Sequence, residues 1–127
     1  MASTPALYRD PLEDSDFAAN DRPMWIFDMR TLAILDVNEA AIRGYGFSRE
    51  QFLSLTILDI RPVEEIQPLL HQVFDPNYKE GPGGELWMHR RKNGTVFPVR
   101  VTTNQLTFAG RRAKMVSAVP VGSREKI

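Results

Sequence analysis

The dipeptide Asn93-Gly94 constrains this chain more than any other feature, because it separates two strand-forming runs, Glu85 to Arg91 and Thr95 to Thr103. Asn-Gly accepts positive φ in a tight turn, so such a pair of runs specifies an antiparallel hairpin. With Asn93 and Gly94 in the turn, Arg91 faces Val96, Met88 faces Val99 and Leu86 faces Val101, and a four-residue loop from Lys92 to Thr95 gives the same register. One face then carries Leu86, Met88, Phe97, Val99 and Val101 and is expected to be buried, while the other carries Trp87, His89, Arg91 and Arg100. Ala109-Gly110 turns the chain again, and Ala113 to Val119 makes a further strand. Either Met115 or Val116 points inward there, since one bulge would reverse the parity.

Upstream, Met24-Trp25-Ile26-Phe27-Asp28 and Ala33-Ile34-Leu35-Asp36-Val37 are two β-rich runs close enough to pair. Asn38 suits a helix N-cap with Glu39 in the first turn, and Gly44 and Gly46 end that short helix. Ser48 followed by Gln51 has capping-box spacing and opens another, with Phe52, Leu53 and Leu55 as its apolar side. Ile66, Leu69, Leu70 and Val73 recur at helical spacing between Glu64 and Phe74. Pro68 is compatible with a start near Glu65, because the first amides of a helix have no internal acceptor. Asp10-Pro11 marks a short helix running to about Ala19, whose thin apolar content requires tertiary contact. The order is two strands, several short helices, then three strands. It predicts an α+β fold, a five-stranded antiparallel sheet with short helices covering one face.

Composition narrows the function. The chain of 127 residues has 16 basic and 16 acidic residues, so no net field favours nucleic acid or an anionic membrane. No apolar run approaches the ~20 residues that span a bilayer. Met1-Ala2-Ser3-Thr4-Pro5 lacks the blocks of a signal peptide, so the expected location is the cytoplasm. There is no cysteine, and the two histidines, His71 and His89, form no metal-binding pattern. No P-loop, GxGxxG or Gly-x-Ser-x-Gly motif occurs, and Glu64-Glu65 point about 100° apart on a helix. No base is placed beside an orienting partner, so no enzyme is expected. Arg90-Arg91-Lys92 and Arg111-Arg112 read as solvated turn charges, with phosphate binding as the alternative.

The stretches Pro23 to Asp28, Val37-Asn38-Glu39-Ala40-Ala41 through Tyr45-Gly46-Phe47-Ser48-Arg49-Glu50, and Arg90 to Val99 together resemble the PAS family over roughly residues 21 to 121. The resemblance implies a sensory and signalling module, cytoplasmic and often dimeric through an N-terminal helix and the outer sheet surface. It further implies a cavity between sheet and helices and an attached output domain such as a histidine kinase. It divides the chain into an N-terminal segment with a short capping helix (1–20), the PAS domain (21–122) and the start of a linker (123–127). Pro120-Val121-Gly122 replaces the acidic and hydroxyl-bearing ending common in signalling members. The lack of cysteine excludes a covalent flavin or a thiol-linked chromophore.

The implied cavity draws on Tyr45, Phe52, Ile57, Leu70, Phe74, Met88, Phe97, Val99, Val101 and Asn104, with Tyr45 and Asn104 as its polar groups. These residues either bind a small hydrophobic ligand or form a filled core. His71 is a candidate proximal ligand for haem, or a surface histidine; a non-covalent flavin is compatible with the aromatic content. Leu12, Phe17, Trp87 and Val96 are candidates for a homodimer interface. Trp87, placed outward opposite Arg100, belongs either to that patch or to a surface cation–π pair.

Overall fold

The side chain of Asn38 joins three parts of the molecule. Its Oδ1 accepts from the backbone N–H of Ala41 and of Met24, each at 3.0 Å, and its Nδ2 donates to the carbonyls of Phe17 at 2.9 Å and Arg22 at 3.0 Å. One buried amide thus caps a helix, starts a strand and holds the N-terminal helix in place.

The structure, a computed structural model, describes residues 15–122. In chain order these form α1 (Ser15–Ala18), β1 (Met24–Asp28), β2 (Ile34–Val37), α2 (Glu39–Tyr45), α3 (Arg49–Phe52), a 3-10 turn (Val63–Glu65), α4 (Ile66–Val73), β3 (Glu85–Arg90), β4 (Val96–Phe108) and β5 (Arg111–Pro120). The expected linker start at 123–127, and Leu12 with the beginning of the expected N-terminal helix, lie outside the described residues. No helix among them is long and apolar enough to cross a membrane.

The five strands form one sheet in the order β2-β1-β5-β4-β3, antiparallel throughout. This is the expected α+β sheet, with the two halves of the chain joined by β1 and β5. The expected caps form: Ser48 and Gln51 make a reciprocal capping box, and Gly46, at φ +89°, closes α2. Strand β4 runs five residues beyond its expected end, because β5 pairs with it as far as Phe108↔Arg111.

The segment after α3 ties down both sheet edges. Ile34 N–H donates to Leu55 O and Ile57 N–H to Leu32 O, each at 3.0 Å, beside β2; Arg90 N–H of β3 donates to Ile60 O at 2.7 Å. Pairing these edge groups removes a template for aggregation. Gly84, just before β3, is at φ +84°, and a Cβ there would lie 2.1 Å from Val101 O, so only glycine lets the chain pass this close to β4.

The sheet buries apolar groups on both faces. Trp25 and Phe27 join Val116, Ala118 and the helices in the main core, whereas Met24, Ile26 and Ala113 pack with Phe17 in a smaller outer cluster. Every residue of β1 is buried, which explains its unbroken apolar run. The open choice in β5 resolves in favour of Val116, opposite Trp25 on the inner face.

Candidate functional site

The β3–β4 register corrects the expected face assignment. Trp87 pairs with Val99, Met88 with Pro98 and His89 with Phe97, one residue displaced from the two-residue-turn register. The loop contains three residues, not two or four. Gly94 N–H donates to Arg91 O at 2.9 Å, Arg91 N–H donates to Thr95 O at 2.8 Å, and Gly94 has φ +93°. This is a turn followed by a left-handed glycine bulge. Because side chains alternate with period two, the slip reverses the whole strand. Trp87 and His89 therefore point into the core, while Leu86 and Met88 face outward.

Contacts from α2 hold that loop. Lys92 N–H donates to Tyr45 O at 2.9 Å and Arg91 Nε to Gly44 O at 3.0 Å, satisfying carbonyls at the helix end. The Arg91 guanidinium also covers the Phe97 ring, 3.8 Å from its centroid. Arg90-Arg91-Lys92 is thus partly committed to structure.

The inner face collects an aromatic group. Trp25 lies edge-on to Tyr45 at 5.4 Å and stacks near Phe52 at 6.4 Å, and Tyr45 lies 5.4 Å from Phe97. The Tyr45 hydroxyl and His89 Nδ1 are hydrogen-bonded at 2.6 Å. Burial holds the His89 imidazole well below its ordinary pKa, helped by the Arg61 charge. Burial likewise pushes the Tyr45 phenol far up, although Arg61 and Arg91 pull against it. Both groups are neutral near pH 7, a uncharged pair in an apolar setting.

Beside this cluster lies a cavity of about 40 Å³ between α4 and the sheet. Its walls are Trp25, Phe27, Trp87, Val101 and Val116 from the strands and Ile57, Leu69 and Val73 from the helical side. Arg61, Gln72, Thr103 and Lys114 supply its polar atoms. Arg61 is 5% exposed, and its guanidinium sits 4.7 Å from the Trp87 ring centroid. Its Nε and Nη1, and Nε1 of Trp25, have no hydrogen-bond partner among the described residues. Burial lowers the Arg61 pKa to about 10, partly offset by the Glu65 charge, so it remains a cation at neutral pH. Thr103 is already engaged: its N–H and Oγ1 both donate to Glu80 Oε1, at 3.0 and 2.8 Å.

Of the residues expected to line a cavity, Ile57 and Val101 do so; Tyr45, Phe52, Phe97 and Val99 lie in the adjoining core, and Leu70 packs half-buried against it. Three expected placements are corrected. Met88 is on the outer face because of the register. Asn104 pairs with Met115 on that outer face and is exposed. Phe74, 57% exposed, lies beyond the last turn of α4 and not inside. His71 is exposed with Phe74 on an open outer surface of α4, not directed at the cavity. A cavity of this size fits neither a haem nor a flavin.

The expected interface set is likewise divided. Phe17 is 2% exposed against β1 on the outer side, and Val96 is 43% exposed there. Trp87 is an inner residue whose cation partner is Arg61, not Arg100. Leu86, 58% exposed, takes the outward place expected for Trp87. Sequence reasoning missed Arg61, because an arginine between Ile60 and Pro62 carries no local sign of burial.

No family model matches the sequence, and no curated protein is significantly similar to it. Solved structures are similar in fold. The PAS domain of a protein from Colwellia psychrerythraea is 12% identical, with 90% of this chain and 98% of that one covered and a TM-score of 0.72. A PAS domain from a two-component sensor histidine kinase is 24% identical, with 80% and 86% covered and a TM-score of 0.58. A tryptophan-to-alanine variant of the PAS-B domain of Drosophila melanogaster Cycle, with bound glycerol, is 11% identical, with 78% and 99% covered and a TM-score of 0.64.

Proposed function

We propose, from the premise that this chain has the PAS fold, that it is a sensory signalling module whose inner cavity takes a small molecule. The observation that carries the reading is the cavity under α4, walled mostly by apolar side chains, with Arg61, Gln72, Thr103 and Lys114 as its few polar residues. An apolar pocket with a few polar groups is the kind of space that takes a small molecule. Glycerol is bound to the tryptophan-to-alanine variant of the Cycle PAS-B domain, which supports a small molecule as the kind of ligand. The histidine-kinase origin of another neighbour supports a signalling output, with a kinase as the kind of partner. This is a binding module, not an enzyme, acting in the cytoplasm and as a homodimer through its outer sheet surface.

Native mass spectrometry of the purified protein, followed by release and identification of any bound species, tests the reading. A retained small molecule is the expected result. The second reading is a ligand-free dimerisation scaffold, favoured by how little space the packed core leaves. A protein that carries no bound mass, and whose melting temperature responds to no small solute, would establish the scaffold instead.

A further inference from the structure

We propose that the loop spanning 74–84 is a strap at the edge of the cavity under α4, latched by Glu80 on Thr103, and that release of this latch opens the cavity. The inference rests on the sensor reading, since it assigns the way into the same cavity.

The path of the chain carries the inference. Gln72 and Val73 at the end of α4 form one wall of the cavity, and Thr103 of β4 belongs to another. The loop leaves the first wall directly after Val73, and its Glu80 is bonded to the second. Thr103 N–H donates to both oxygens of the Glu80 carboxylate, at 3.0 and 3.3 Å, and Thr103 Oγ1 donates to Oε1 at 2.8 Å. Strand β3 begins at Glu85, opposite Val101, so this N–H lies past the pairing and the carboxylate takes the place of a strand carbonyl. Bonds to an ionised acceptor are the strong kind. Among the described residues, the other hydrogen bonds of the loop stay within it or reach its own ends in α4 and β3. One side chain therefore fastens the strap to β4.

The base of the strap is built to stay while the latch moves. The Tyr78 hydroxyl donates to Glu85 Oε2 at 2.7 Å, and Gly81 N–H reaches the same oxygen at 3.4 Å, which holds the bend to the start of β3. Gly84 is pinned by its close approach to Val101 O, whereas Gly83, at φ +78°, meets nothing within 4 Å. The hinge is therefore at Gly83, next to a fixed point, where a glycine turns at least cost. Release of Glu80 frees the end of α4 from β4 and leaves the sheet intact. Segments held by few bonds open locally at a small fraction of the global stability.

The experiment reads access through the two tryptophans of the chain, Trp25 and Trp87, which both line the cavity and are 1% and 9% exposed. Quenching of their fluorescence by acrylamide is measured in wild type, Glu80→Ala, Glu80→Gln and Gly94→Ala, with a thermal melt of each. Glu80→Ala should be quenched about twofold more strongly than wild type, and its Thr103 amide should exchange about tenfold faster. Glu80→Gln keeps an acceptor oxygen for Thr103 and should fall between the two. Gly94→Ala lowers stability at a hairpin outside the cavity walls and should be quenched like wild type. Should Glu80→Ala fail to fold, Thr103→Val, which removes the hydroxyl bond alone, carries the same expectation with a smaller rise. Faster Thr103 exchange without added quenching would overturn the inference, because the bond would then fasten the loop without governing access. An equal rise in Gly94→Ala would overturn it too, by tracing quenching to lost stability. Either result leaves the sensor reading in place, since native mass spectrometry decides that separately.

Discussion

The Tyr45 hydroxyl and Nδ1 of His89 meet at 2.6 Å in the interior, joining the last turn of α2 to the strand that forms one edge of the sheet. Residues 44 positions apart make this bond, and His89 is fully buried. The pair locks α2 to β3 and depends on the histidine staying neutral.

Stability should therefore depend on pH through His89. Its folded pKa lies well below the ordinary value of 6.5. Between those two values the unfolded chain binds a proton that the folded protein does not. Stability is then complete above pH ~6.5 and falls as the pH drops, by up to about 1.4 kcal/mol per pH unit. Urea unfolding between pH 8 and 5 measures the slope. His89→Gln should flatten it, and an unchanged slope in that variant would refute the assignment.

Tyr45→Phe removes one partner and leaves buried Nδ1 unsatisfied, while Nε2 of the same ring already has no partner among the described residues. The expected cost is about 1–3 kcal/mol by denaturant unfolding, with the aromatic packing retained. A loss under 0.5 kcal/mol, as an order-of-magnitude limit, would mean that water replaces the hydroxyl.

Asn38→Ala should cost more than a lost cap alone. The cap is worth about 1 kcal/mol, and the substitution also strands the Met24 N–H and two carbonyls. We expect about 2–4 kcal/mol. Asn38→Asp keeps the acceptor and discards both donors, so it should recover the cap but not the anchorage of α1. Hydrogen exchange at Met24 and Ala41 separates the two contributions.

Gly84→Ala should be among the most damaging single-methyl changes. The new Cβ would lie 2.1 Å from Val101 O, and the backbone is already at φ +84°. Backbone must move, at an expected cost above about 2 kcal/mol. By contrast Gly94→Ala meets no atom and should cost about 1 kcal/mol, from its positive φ alone. Thermal melts of the two variants test the ranking.

Leu86→Glu and Val96→Glu should shift a homodimer to monomer without lowering the melting temperature of the fold, since both side chains face outward. Trp87→Glu should instead unfold the protein, because it places a carboxylate in the core. Light scattering and circular dichroism on the three variants distinguish an outer interface from the earlier expectation that Trp87 belongs to it.

The composition of turns and caps made much of the architecture readable beforehand. Asn38, the Ser48–Gln51 box and the glycines act through neighbours in sequence, so their geometry follows from local chemistry. That both β-rich ends belong to one five-stranded antiparallel sheet was readable as well, because each has a greasy face to bury under the helices, whereas the spatial order β2-β1-β5-β4-β3 came only from the structure. The site was read less well. Met88 was placed inside and Trp87 and His89 outside, although each of these residues was singled out.

The sequence by itself determined that a hairpin turns at Asn93-Gly94, but both two- and three-residue loops suit that dipeptide. Tertiary structure made the choice. The end of α2 offers the carbonyls of Gly44 and Tyr45 to Arg91 and Lys92, and the three-residue loop presents the donors that meet them. With a period of two, that single residue reverses a strand and exchanges its buried and exposed sets. Arg61 became part of the site for a related reason. Its burial comes from Trp87 arriving over it from a strand 26 positions away, a consequence of the same slip that no local pattern around Ile60 and Pro62 encodes.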